Sequence, residues 1–155
     1  MTAHILNPRL DPKYPATLSV ATIDGLLRKS LRFSRLVFAD DMEMKAITDH
    51  FGAEQAAVLA IKAGCDCLIY RAEQDLPVRQ IEAVMKAVET KELSLETVER
   101  AVARSRSSKA TYCDLSKPVE VTEVGKFIGL PEHFHLAEMI TKKEIPTGIE
   151  HSEDF

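Results

Sequence analysis

The sequence predicts an α/β fold built on a small parallel sheet and followed by a helical tail. Three observations carry this. Two short apolar runs, LVFA at 36–39 and CDCLIY at 65–70, are continuous rather than alternating, as in strands covered on both faces. Helical periodicity follows each of them. The resulting order of strand, helix, strand, helices, strand, helices is that of successive βα units.

The opening stretch MTAHIL, at 1–6, reads as a first short strand. The connector NPRLDPKYPATL follows, where Pro8, Pro12 and Pro15 exclude regular structure. Ser19 is placed to N-cap a helix whose apolar positions are Val20, Ile23, Leu27 and Leu31. After the strand at 36–39, helical patterns run over 42–50 and 53–63, separated by Gly52, with Gly64 as the stop of the second. After the strand at 65–70, Asp75 and Pro77 start a helix with Val78, Ile81, Val84, Met85 and Val88 on one face, read as core. Ser94 caps another, carrying Leu95, Val98 and Val102. Near Cys113 the pattern changes. Residues 1–112 form the α/β part. Residues 113–155 form a helical or irregular tail, with helical pieces near 120–128 and 132–142. Three strands are few for such a domain, so the sheet looks incomplete.

Composition narrows the function classes. At 155 residues the chain is long enough for one domain with its own core. A net charge of −4, with Lys and Arg scattered, gives no electrostatic grip on nucleic acid or anionic lipid. The most apolar stretch, AAVLAIKAGC, is broken by Lys62 and too short to span a bilayer. No hydrophobic leader opens the sequence. Cys65, Cys67 and Cys113 do not make a disulfide framework. A cytoplasmic setting is the expectation.

Chemistry is expected where parallel strands end. There the second run meets two adjacent carboxylates, Asp40 and Asp41, in LVFADDMEMKA. Two neighbouring like charges do not belong in a core. Asp41 can N-cap the 42–50 helix, leaving Asp40 for chemistry. His4 lies near the end of the first strand and Arg71 just past the third. A phosphoaspartyl site also follows an apolar strand, but its second acid stands two residues on, where this chain has Met42. His133 and His135, two apart on a helix, face different ways and read as surface residues. Cys65 and Cys67 alternate across a strand, so at least one belongs to the core. Gly25, Gly52 and Gly64 are isolated and make no phosphate loop. Neither a cofactor nor a metal is expected.

Three stretches, TAHILNPRLDPKYPATLS, GLLRKSLRFSRLVFADDMEM and AVLAIKAGCDCLIY, together resemble glycoside hydrolase family 3. The likeness is to the NagZ-type beta-N-acetylhexosaminidases and covers about residues 1–112. It implies a (β/α)8 TIM barrel, of which these motifs would be roughly the last three βα units. It also implies retaining hydrolysis of a terminal beta-linked N-acetylglucosamine. In that reading Asp40 is the nucleophile and Asp41 the second acid of the motif. His4 contacts substrate, and Met44 and Arg71 line the pocket. The expected ligand is an amino-sugar glycoside or a peptidoglycan-derived saccharide. The sequence departs from the family pattern in having Ala39 where Ser or Thr is usual and Arg35 where Gly is common. The family's acid/base His sits in an Asp-x-His element after a Lys-His-Phe-Pro-Gly-His-Gly motif, and neither occurs in these 155 residues. A full barrel takes about 250 residues. The expectation is therefore a truncated barrel, inactive alone, that self-associates or pairs with a complementing barrel half. The alternative is a non-catalytic α/β fragment that acts only by assembly.

Overall fold

A computed structural model of the chain describes residues 1–71, 74–113 and 120–143. The ordered elements are β1 (Phe38–Asp41), α1 (Lys45–Phe51), α2 (Ala53–Ala63), β2 (Cys67–Ile69), α3 (Leu76–Glu89), α4 (Leu95–Tyr112), α5 (Val121–Val124) and α6 (Pro131–Lys142). A short 3-10 turn at Ala16–Leu18 and a π-wound helix at Ala21–Ser30 precede them. Two compact units result, Met1–Cys113 and Asp114–Phe155. The second unit contains α5 and α6; on α6 both His133 and His135 are exposed. Among the described residues no helix is long and apolar enough to cross a membrane.

In the first unit, β1 and β2 pair in parallel, Phe38 opposite Cys67 and Asp41 opposite Ile69. Among the described residues this is the predicted parallel sheet with two strands rather than three. The opening residues 1–6 do not form a strand. They run beside β1 but donate one backbone hydrogen bond to it, from Thr2 N to Phe38 O at 2.8 Å. A backbone bond from Ala16 N to Ile5 O at 2.9 Å and two side chains hold the segment: Thr2 and His4, two residues apart and so on one side of an extended chain, both bond Thr17.

The core lies where α1, α2 and the π-wound helix cover β1. Leu18, Ile23, Val37, Ala39, Met42, Ile47, Ala56, Ala60, Ala63 and Cys65 are buried together there. Ala39 is fully buried in that cluster, so a hydroxyl in its place would need a hydrogen-bond partner. The Ser19 side chain accepts from Thr22 N at 3.0 Å, as an N-cap should. The helix it starts is wound more widely than 3.6 residues per turn, with Leu31 N reaching back to Leu26 O. The expected apolar stripe therefore drifts: Ile23 is buried, whereas Val20 and Leu31 are exposed.

Gly52, at φ 69°, separates α1 from α2, and Gly64, at φ 113°, stops α2. A Cβ on Gly64 would meet Ile23 Cγ2 at 3.1 Å, so this turn demands glycine on both counts. Pro77 opens α3, and Ser94 caps α4 by accepting from Thr97 N at 3.2 Å. The reading of the α3 and α4 stripes as core holds in part: Val84, Val88 and Val98 pack against a second small core of Val58, Ala87 and Leu93, and the rest of each stripe does not. Val78, Ile81 and Met85 on α3, and Leu95 and Val102 on α4, are exposed. The α3 residues that are buried are Leu76, Gln80 and Ala87. Ile81, Val84 and Met85 line an apolar groove of about 430 Å³ with Leu68, Val98 and Val102.

Candidate active site

At the carboxyl end of the sheet the chain turns sharply. Asp41 O accepts from Met44 N at 3.1 Å, and Asp41 Oδ1 accepts from Glu43 N at 3.0 Å. This is an Asx-supported turn, which a short acidic side chain favours. It corrects the N-cap expected of Asp41. The residue that caps α1 is Met44, and no side chain bonds that helix end. The carboxylate instead closes the turn that leads into the helix.

Asp40 is half-buried on the last part of β1. Its Oδ1 accepts from Asp41 N at 2.8 Å, which pins the carboxylate against the strand end. Among the described residues no group bonds its other oxygen. That leaves one carboxylate oxygen available at the sheet end where parallel α/β proteins bind ligands.

His4 is tied at both ring nitrogens. Nε2 lies 2.9 Å from Asp41 O, and Nδ1 lies 2.9 Å from Thr17 Oγ1. A carbonyl only accepts, so Nε2 carries a proton. In the neutral ring Nδ1 then accepts from the Thr17 hydroxyl, which in turn accepts from Thr2, 2.9 Å away. The fully buried Thr17 thus orients His4, and His4 holds the carbonyl beside Asp40. The ring also lines a cavity of about 380 Å³ with Leu6, Lys13, Pro15, Ala46, His50 and Phe51. Asp40, Met44 and Arg71 are not among its lining residues.

Arg71, just past β2, is mostly exposed, with its Nε 3.9 Å from Asp41 Oδ2. Its backbone N–H donates to Glu43 Oε2. Met44 is exposed on the same turn. The structure therefore brings His4, Asp41 and Arg71 together around the end of β1, with Asp40 beside them. Sequence reasoning missed Thr17, Thr2 and Glu43. The signal for the first pair was the i, i+2 spacing of Thr2 and His4.

Two other titratable groups, Cys65 and Tyr70, are structural. Burial, reinforced by the charge of Asp66, pushes the Cys65 thiol up to about 12, and its Sγ approaches Thr17 O at 3.6 Å. This is the inert core cysteine expected of the Cys65/Cys67 pair. Burial also pushes the Tyr70 phenol up to about 12; it hydrogen-bonds Gln80, whose Nε2 donates to Ala53 O at 2.7 Å.

Comparison with known proteins decides the family. Residues 1–107 match the model of the glycosyl hydrolase family 3 N-terminal domain. The chain belongs to this family. A beta-hexosaminidase of Idiomarina loihiensis is 34% identical over 107 residues, covering 69% of this chain and 32% of that protein. The beta-hexosaminidase LpqI of Mycobacterium tuberculosis is 31% identical over 115 residues, 70% of this chain and 29% of its own length. Among solved structures, the family 3 beta-N-acetylglucosaminidase of Paenibacillus sp. str. FPU-7 aligns with a TM-score of 0.73 at 33% identity. That match covers 93% of this chain and 28% of that one. CbsA from Thermotoga neapolitana aligns at 0.67 and 37% identity, over 72% of this chain and 24% of its own. The chain thus spans about a third of the length of the curated relatives it matches.

Proposed function

We propose that this chain carries the nucleophile of a retaining beta-N-acetylhexosaminidase, and that Asp40 is that nucleophile. The observation that carries the reading is the half-buried Asp40 carboxylate at the end of β1, with one oxygen pinned and the other unclaimed among the described residues. Its oxygen attacks the anomeric carbon of a terminal N-acetylglucosamine. The glycosidic C–O bond breaks, and the leaving oxygen takes a proton from a general acid. Water then cleaves the glycosyl ester and regenerates the carboxylate. His4 serves this site by fixing the strand end and lining the adjoining cavity, while Met44 and Arg71 border it. The general acid in this reading comes from residues outside these 155. The substrate class is an amino-sugar glycoside, including saccharides derived from peptidoglycan, and the free thiols suit a reducing, cytoplasmic compartment.

A second reading, assembly, rests on a different observation. The groove between β2, α3 and α4 exposes Ile81 and Met85 by 61% and 58%, and among the described residues β2 pairs with β1 alone. We propose that a complementing segment of barrel covers this face, making residues 1–112 a partial barrel and 113–155 a separate tail. Size-exclusion with light scattering over a dilution series tests it. A monomer at every concentration with cooperative melting and no binding of a hydrophobic dye would contradict it.

Catalysis is tested with a dinitrophenyl N-acetylglucosaminide, whose leaving group needs little protonation. The chain alone should turn it over barely, since acid–base help is worth about 10²–10⁴-fold. Adding the part of a full-length relative that this chain does not match should raise the rate. Robust hydrolysis of unactivated chitobiose by the chain alone would contradict the reading. Magnesium-dependent phosphatase activity would favour a phosphoaspartyl site instead.

A further inference from the structure

At the opposite end of the sheet from Asp40, a second cavity of about 410 Å³ lies between the π-wound helix, the end of α2 and α4. Val20, Asp24, Arg28, Lys29, Lys62, Gly64, Thr97, Arg100 and Arg104 line it. The chain as a whole carries −4, yet five of its 20 Lys and Arg residues converge here.

Existing partners do not cancel that charge. Arg28 and Arg104 share the single carboxylate of Asp66, Lys29 pairs with Asp24, and Arg100 pairs with Glu96. Five cations thus face three carboxylates. Among the described residues Lys62 has no ion-pair partner, and the buried Nε of Arg28 has no acceptor. Arg28, Lys29 and Lys62 stand in or next to the last turns of their helices, where cations offset the negative end of the dipole. That explanation does not extend to Arg100 and Arg104. They come from the body of α4, one turn apart, and share a face with Thr97.

We infer that this cavity is a binding site for a small phosphate-bearing molecule, distinct from the Asp40 site. A dianion matches the two uncompensated charges. Arg28 and Arg104 are committed to Asp66, and Arg28 also to the carbonyls of Arg35 and Gly64. The groups left to hold phosphate oxygens are the exposed Arg100 fork and the Lys62 ammonium. The Thr97 hydroxyl, which already bonds Ser94 and Arg100, lies beside them. The volume leaves room for more than the phosphate itself.

Isothermal titration of the full 155-residue chain with inorganic phosphate and with pyrophosphate, at low ionic strength, tests this. Arg28 and Arg104 are left intact because they hold Asp66. Lys62 and Arg100 are both exposed, so the double variant Lys62→Ala/Arg100→Ala should keep its melting temperature. Saturable one-to-one binding tighter than about 1 mM is expected for pyrophosphate. The double variant should weaken it about ten-fold or more, and Lys126→Ala, in the other unit, should leave it unchanged. The site is overturned if no saturable heat appears. It is also overturned if sodium chloride at matched ionic strength reproduces the effect, or if the double variant binds as well as the parent.

Discussion

The two ends of the β1–β2 sheet use carboxylates in opposite ways. At the amino end, the Asp66 carboxylate is fully buried and saturated. Arg28 Nη2 and Arg104 Nε lie 2.7 Å away, and Val37 N donates at 2.8 Å. At the carboxyl end, Asp40 is half-buried with one oxygen unclaimed among the described residues, and Asp41 faces an Arg71 whose side chain is 81% exposed. A carboxylate surrounded by guanidinium groups and backbone N–H donors has nothing left to offer a ligand. One held by a single neighbouring amide does. The same residue type is therefore a structural tie at one end and a candidate nucleophile at the other. The difference lies in how many donors the fold supplies.

If this contrast holds, the largest stability loss comes from the closed end. Asp66→Asn leaves two partly buried guanidinium groups, those of Arg28 and Arg104, without their counter-charge and should cost about 3 kcal/mol in denaturant melts. A loss below about 1 kcal/mol would mean that solvent screens the triad. At the open end the effect is smaller. Asp41→Ala removes the acceptor for Glu43 N and should cost about 1 kcal/mol. Asp41→Asn keeps an oxygen there and should cost less than half of that, because the ion pair to exposed Arg71 is weak. Equal losses in the two variants would show that charge, not the turn, is what matters.

The smallest effect concerns acid. Backbone N–H donors from Lys13 and Tyr14, with Ser19, hold the Asp11 carboxyl below its usual value of 3.8. A group depressed in the folded state stabilises above its unfolded pKa and loses that contribution as pH falls through the folded one. Stability should thus decline below about pH 4, and Asp11→Asn should flatten that limb slightly. An unchanged acid slope would remove Asp11 from the account.

Much of the open end was legible in sequence, because an apolar strand running into Asp40–Asp41 violates burial locally and can be seen in one window. The helix at Ala53–Ala63 and its Gly64 stop were legible for the same reason, since both are local patterns. The closed end was not. Asp66 sits inside CDCLIY like any strand residue, and both of its arginines lie 38 positions away, one on either side. The failed first strand has a similar cause. MTAHIL has strand-like composition, but a ladder depends on a partner, and Thr2 finds only one bond to β1. On α3 the apolar stripe was correctly seen as a stripe. What covers it depends on tertiary packing, and here Ile81 and Met85 face a groove.

The central claim is that the open carboxylate is the one that reacts. A 5-fluoro N-acetylglucosaminyl fluoride is a substrate whose covalent glycosyl-enzyme hydrolyses slowly. It can be supplied to the chain complemented with the part of a full-length relative that it does not match, and the labelled residue read by peptide mass spectrometry. The account predicts an adduct on Asp40, absent in Asp40→Asn, with the melting temperature of that variant close to the parent's. An adduct on Asp41, or undiminished turnover in Asp40→Asn, would contradict it.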